Sequence, residues 1–351
     1  MRKKESVKTT ISLQNSTEQK LNELRTIAEK TNRLLTVIYG NPDPDALASA
    51  FALNHLLCRN RTNSTIAYTG EVGRLENKEM IRVLKIPAVK FNDKMLSESD
   101  LVANVDCQPS FFSTMPDFTA DIVIDHHPKQ EFTASFVDIR ANYGATSTIM
   151  TEYLLEAHKI FPARLATALL YGIETDTSSL QRISTDLDIN AFRFLLGKAD
   201  MSLLRVIRLS RFPLSALSYF AVAALQKRYS KGIIYSNLGF VDTTDILSHI
   251  AAFLMEFHNI NWAIVSGLYR DTLIIVFRSD GYKKDAGRLA TRAFGKIGSA
   301  GGHATMARAE VQLSQIQEKL PNMSSEAVEK FVLERLAPHL QGIRRLQQSE
   351  C

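Results

Sequence analysis

Cysteine is scarce in this 351-residue chain: Cys58, Cys107 and Cys351 form no C-x-x-C pair and leave an odd one over. That excludes a disulfide framework and fits a reducing compartment, with Cys58 and Cys107 reading as small packed hydrophobes. No run of about 18 apolar residues occurs, which argues against a transmembrane helix. The opening MRKKESVKTTISLQNS is basic but lacks the apolar core of a secretory signal. The cytosol is therefore the expected compartment, with no membrane partner. Neither sign of charge dominates: 42 Lys and Arg against 37 Asp and Glu give +5. Such a balance permits anionic ligands but not the basic excess expected of a protein that grips duplex DNA. Repeats and low-complexity tracts are missing as well.

What is present is ordinary globular material, 45% apolar and 23% charged. The length exceeds one ordinary core and predicts two domains. After a frayed tail and a helix (1–31), short apolar runs alternate with helical patterns, the first opening at Leu34 and the others at Ser64–Tyr68, Val89, Leu101–Val105 and Asp121–Ile124. The alternation predicts an α/β domain over 32–200, a mostly parallel sheet with helices on both faces. Helices are expected at about 46–57, 77–84, 144–158, 162–173 and 188–196. A helical connector (201–225) containing Pro213 carries Arg205, Arg208 and Arg211 at three-residue spacing, read as a solvated face or a phosphate-facing stripe. A smaller α/β domain (226–345) follows. It has strands at 232–240, 262–267, 272–277 and near 309–313, a basic helix at 284–294 and a closing helix at 325–336. Its Arg278, Arg288, Arg292 and His303, without clustered acids, suit gripping an anionic substrate rather than a metal. Phe331, Val332 and Leu336 of the closing helix suit internal packing or a homodimer contact.

Three of the predicted strands end in acid: Asp43 with Asp45, Asp106, and Asp125 followed by His126 and His127. Strand ends of a parallel sheet share one edge, so these carboxylates converge there. Each alone also reads as a turn or N-cap residue, as does Asp176 after the helix at 162–173. Together, buried acids repel unless cations neutralise them. Oxygen ligands mixed with imidazole suit Mn²⁺ or Mg²⁺, and several acids in one crevice suggest two ions sharing a carboxylate.

The motifs NPDPDALAS (41–49), NVD (104–106), DHH (125–127), GIETDT (172–177) and GGHA (301–304) stand in an order that resembles the DHH phosphoesterase superfamily. The likeness covers about residues 32–315 and is similar to the two-domain branch of nanoRNases that also act as pAp phosphatases. It implies an active site in the cleft between a DHH domain and a DHH-associated C-terminal domain. Asp43 would hold a first Mn²⁺ (Mg²⁺ or Co²⁺ in its place), Asp45 a second, and Asp106 would bridge them. His126 and Asp176 would complete the second site, His127 would face the scissile phosphate, and Asp125 would orient the histidines. Arg278, His303 and the Gly301–Gly302 pair would grip the substrate's terminal phosphate or nucleotide, with Arg288 and Arg292 nearby. Ser147 would offer a phosphate contact at a helix N-terminus.

One position departs from the pattern. Tyr39, four residues before Asp43, stands where the family places a metal-binding histidine, and a phenol is a poor ligand at neutral pH. His55, on the following helix, reads as structural. The expected activity is hydrolysis of short single-stranded oligoribonucleotides, linear dinucleotides or pAp by water activated at the metals. The alternatives are a nucleotide-binding module without turnover, a RecJ-type single-strand exonuclease, and a family II pyrophosphatase or polyphosphatase.

Overall fold

The computed structural model of the chain describes residues 15–29, 31–57, 63–112, 115, 118–181, 185–282, 284–317 and 324–343. Cys58, Cys351 and the tail through residue 14 lie outside them. Two compact units divide at Arg211 and Phe212.

The first unit contains helix α1 (Asn15–Ala28), strand β1 (Arg33–Ile38), α2 (Pro44–Leu57), β2 (Asn63–Tyr68), α3 (Leu75–Leu84), β3 (Ala88–Lys90) and the short α4 (Lys94–Ser97). Strands β4 (Leu101–Val105), β5 (Ile122–Asp125) and β6 (Phe136–Ile139) follow, then helices α5 (Thr146–Glu156), α6 (Ala163–Asp176), α7 (Asp186–Leu196) and α8 (Met201–Leu209). All six strands are parallel, in the order β3-β2-β1-β4-β5-β6. The order reverses between β1 and β4, and the carboxyl ends of those two strands flank the crevice where open α/β sheets bind ligands.

Burial on both faces explains the unbroken apolar runs of β1 and β5. On one face Leu34, Ile38, Ile66 and Ile124 pack with α2, α5 and α6. On the other, Leu35, Val37 and Val123 meet Phe112 and Phe118, with Met95 and Leu96 of α4 against them. Helices thus lie on both faces, in very unequal amounts. Cys107 belongs to this second cluster, and burial pushes its thiol up to about 12, as expected of a small hydrophobe. His55 Nε2 donates to the Ile160 carbonyl at 2.9 Å, a structural role.

Local chemistry sets the helix starts. Asp43 Oδ1 accepts from Ala46 N at 2.8 Å, with Pro44 opening α2. Thr185 and Asp188 form a capping box on α7. The connector resolves into α8 of the first unit and α9 (Ala216–Leu225) of the second. Within its basic stripe, Arg208 pairs with Glu174, while Arg205 and Arg211 are exposed. Strand β6 has no counterpart in the expected elements, because the four-residue run FVDI carries an acid in its middle.

In the second unit, β7 (Arg228–Ser230), β8 (Ile233–Phe240), β9 (Trp262–Tyr269), β10 (Thr272–Ser279), β11 (Ser299–Gly302) and β12 (Met306–Gln312) form a mixed sheet in the order β11-β12-β10-β9-β8-β7. Only β8 and β9 pair in parallel. α9 and α10 (Asp245–Leu254) cover one face through Leu247 and Ile250. α11 (Ala286–Phe294) and α12 (Ser325–Leu336) cover the other. Phe331, Val332 and Leu336 are buried within this unit's own core, which resolves the choice left open for them.

Candidate metal centre

Three segments of the first unit bring acids to the carboxyl edge of its sheet. Asp45 lies in the first turn of α2, just beyond β1; Asp106 follows β4; and Asp125 ends β5 beside His126. Asp176, the last residue of α6, reaches the same place. Ligand atoms of Asp45, Asp106, His126 and Asp176 all lie within 4.8 Å of one another, and Asp106, His126 and His127 form an overlapping group.

Each side chain is held. Asp45 is fully buried, and its two carboxylate oxygens accept from Thr146 N at 2.7 Å and Ser147 N at 2.8 Å, at the N-terminus of α5. Asp106 sits at φ 58°, in the left-handed region that aspartate tolerates better than most residues. Its Oδ1 accepts from Thr146 Oγ1 at 2.9 Å. His126 Nδ1 donates to the Tyr143 carbonyl at 3.1 Å, which leaves Nε2 for the acids. His127 Nδ1 donates to Asp125 Oδ1 at 2.8 Å, while Gln108 Nε2 donates to Asp125 Oδ2 at 2.7 Å. Asp125 is thus spent on orienting its neighbours, including the backbone N–H groups of His126 and His127.

Close packing makes the arrangement possible. A Cβ on Gly172 of α6 would lie 2.4 Å from Ser147 Oγ and 3.0 Å from Asp45 Oδ1, so only glycine admits α2 and α5 this near to α6.

The electrostatics are those of a site short of positive charge. Burial, then repulsion from Asp176, pushes Asp45 up to about 6. Asp106 is raised well above the carboxylate range by burial and by Asp45, Asp43 and Asp176. Burial opposes charge on His126, yet Asp176 and Asp45 raise it to about 9. The hydrogen bond to Asp125 raises His127. Burial alone would raise the Asp125 carboxyl, but its bonds from His127 and Gln108 hold it below the ordinary value.

A divalent cation fits this donor set. His126 Nε2 is buried 3.1 Å from Asp176 Oδ2 and 3.5 Å from Asp106 Oδ1, yet makes no well-directed hydrogen bond. Three carboxylates with one imidazole suit Mn²⁺ or Mg²⁺ and are costly without a cation.

Asp43 belongs to neither group. Its Oδ1 caps α2, and burial raises its carboxyl. With Tyr39, Asp106, Cys107 and His127 it lines a cavity of ≈ 440 Å³. Ser147 needs a correction: it is fully buried and its N–H is taken by Asp45, so it has no path to a substrate phosphate. Sequence reasoning also missed Thr146, Gln108, the Tyr143 carbonyl and Asp188. Asp188 accepts from Gly144 N at 3.0 Å and Thr148 Oγ1 at 2.6 Å, which tethers the turn before α5. The partners of these four groups lie on distant segments, so no local pattern in the sequence marks such work.

The expected substrate-gripping residues fall in the second unit. Arg278 is half-buried on β10, with Nη1 3.2 Å from Met306 Sδ. Gly301 and Gly302 end β11, and exposed His303 turns into β12 while its carbonyl accepts from Gly287 N of α11. Arg288 pairs with Asp285 at 3.3 Å, and Arg292 lies on the same exposed side of α11.

Residues 35–173 match the family model described as DHH family, N-terminal domain. Two uncharacterized proteins of Methanocaldococcus jannaschii are similar in sequence. One is 35% identical over 88% of this chain, the other 26% identical over 43%. The matches span 65% and 47% of those relatives' own lengths. The fold resembles an exopolyphosphatase-related protein from Bacteroides fragilis, with a TM-score of 0.69 and 16% identity, covering 93% of this chain and 99% of that one. It also resembles the exonuclease RecJ bound to manganese, with a TM-score of 0.54 and 13% identity, covering 97% of this chain and 100% of that one.

Proposed function

We propose, from the match of residues 35–173 to the DHH-family N-terminal domain, that the chain is a metal-dependent phosphoester hydrolase acting on short oligoribonucleotides, linear dinucleotides or pAp. One observation carries the reading: Asp45, Asp106, His126 and Asp176 converge at one point of the sheet edge, beside a histidine already held by a carboxylate. A divalent cation held by these four would neutralise phosphoryl charge and acidify water for attack on phosphorus. RecJ, whose fold is similar, was crystallised with manganese, which favours Mn²⁺ among the candidates.

The chain's own groups have distinct work. Thr146 fixes Asp106 by its hydroxyl and Asp45 by its N–H. Asp125 keeps the His127 proton on Nδ1 and raises the imidazole's basicity, which favours its charged form beside a phosphoryl oxygen. Arg278 and His303 of the second unit are the groups proposed to bind the substrate's free phosphate. Among the described residues no helix is long and apolar enough to cross a membrane.

The test is incubation with Mn²⁺ and 5′-labelled di- to pentaribonucleotides, pAp or pyrophosphate, with Asp106→Ala as control. Mononucleotide release that the control abolishes is the expected result. Tight nucleotide binding without turnover in Mn²⁺, Mg²⁺ or Co²⁺ would replace the hydrolase with a binding module, the reading that Tyr39 favours. Preferred release from long single strands would favour a RecJ-like exonuclease, and pyrophosphate cleavage a pyrophosphatase.

A further inference from the structure

We propose that the cavity beside the metal group is a nucleobase subsite, in which Tyr39 and Phe111 hold the base of the nucleotide whose phosphate meets His127. The inference rests on the hydrolase reading for its phosphate end and on the cavity itself for its base end.

The cavity holds ≈ 440 Å³ and opens between the carboxyl ends of β1 and β4, within the range of sites that bury a small ligand. Its lining combines the acidic and imidazole groups Asp43, Asp106 and His127 and the Asn41 amide with the apolar and aromatic Ile38, Tyr39, Val105 and Phe111. Phe111 is 38% exposed on a single 3₁₀ turn, although Phe112 beside it is fully packed. An aromatic ring left at the mouth of a polar crevice has apolar surface that a planar partner covers. Tyr39 is backed rather than loose: its ring lies 4.5 Å from Phe112, which stacks on Phe118 at 4.1 Å and 8°. A rigid, supported face of this kind loses little freedom when a base stacks on it.

The same lining argues against an inorganic polyphosphate in this cavity. No lysine or arginine is among the described residues that line it, so a polyanion would lose water against Phe111 and the apolar wall with only the Asn41, Tyr39 and His127 donors in return. A nucleotide divides its chemistry as the cavity does, with its phosphate toward the metal group and its base toward the rings. Asn41, at the rim, has its amide oriented by Glu71 N at 2.8 Å, a fixed polar group at the edge of a bound ring.

The experiment is calorimetric binding of adenosine 5′-monophosphate and of ribose 5-phosphate, which lacks the base, to the Mn²⁺-loaded protein. The nucleotide is expected to bind at least about tenfold tighter, the scale of one base–aromatic stack. Phe111→Leu should remove that difference while the affinity for ribose 5-phosphate stays as in the wild type. Should Phe111→Leu fold poorly, the wild type alone decides: with diamagnetic Mg²⁺ in place of Mn²⁺, the adenine H2 and H8 resonances should move upfield on binding, as ring stacking requires. Equal affinity for the two ligands, or unmoved adenine resonances, would overturn the subsite. So would a Phe111→Leu variant that weakens both ligands alike. The two readings fail separately. Base-dependent binding without turnover of any phosphoester removes the hydrolase and keeps the subsite. Equal hydrolysis of base-bearing and base-free esters does the reverse.

Discussion

Replacing Gly172 with alanine tests whether close packing beneath the acids sets the metal centre. The added Cβ would stand 2.4 Å from Ser147 Oγ, 3.0 Å from Asp45 Oδ1 and 3.2 Å from Asp45 Cα. Ser147 is fully buried, and Asp45 is pinned by two backbone N–H groups, so neither yields freely. Alanine inside α6 gains about 1 kcal/mol of helix propensity. Overpacking a filled site costs about 1–3 kcal/mol, so the variant should lose up to about 2 kcal/mol. For a unit of this size each kcal/mol corresponds to about 2–4 °C in melting temperature. Ser147→Ala alone should cost no more than about 1 kcal/mol, the scale of the one hydroxyl contact with Asp45 that it removes. The double variant should therefore melt higher than the sum of the single effects predicts. Its Mn²⁺ affinity should stay reduced, since the contacts with Asp45 remain. Thermal melts and Mn²⁺ calorimetry on the four proteins read both quantities. A Gly172→Ala protein that melts and binds Mn²⁺ like the wild type would refute the reasoning.

Thr146→Val keeps the backbone bond to Asp45 but deletes the donor to Asp106, and should weaken Mn²⁺ binding about 10–100-fold by calorimetry. Metal affinity should rise with pH. A cation displaces the proton that keeps His126 charged up to about 9 and the one that keeps Asp45 neutral up to about 6. Binding thus releases the His126 proton below about 9 and the Asp45 proton below about 6, together with that of Asp106, whose carboxyl is raised well above the ordinary range by burial and its acidic neighbours. An affinity independent of pH over that range would contradict it. Tyr39→His should raise the number of Mn²⁺ ions bound per chain, measured by equilibrium dialysis; an unchanged number would mean that the Asp43 side is completed otherwise. Asp188→Asn, which weakens the tether on Gly144 and Thr148, should lower the melting temperature by several degrees.

The residues that bear charge were legible, and those that position them were not. Asp43, Asp45, Asp106 and the Asp125–His127 run announced themselves because acids rarely end buried strands, and a parallel sheet must bring such ends to one edge. The order β3-β2-β1-β4-β5-β6, with its reversal at β1 and β4, is consistent with that reading. Strand β6 was hidden by its brevity and by Asp138, whose carboxylate is satisfied by Arg140 and Tyr153. Ser147 was misread because a helix N-terminus suits a phosphate and a carboxylate equally well. Only the fold shows that Asp45, far away in sequence, already occupies this one. The same long-range closure made Thr146 and Gln108 invisible, since their partners lie on other segments.

The central claim is that Asp45, Asp106, His126 and Asp176 together hold one divalent cation on which phosphoester hydrolysis depends. Titrating Mn²⁺ back into chelator-treated protein, with electron paramagnetic resonance and mononucleotide release from a labelled dinucleotide followed in the same samples, tests it most directly. The account predicts that release returns in step with the first tightly bound ion, and that Asp106→Ala shows neither. Release that persists after chelation, or that survives in Asp106→Ala, would contradict it.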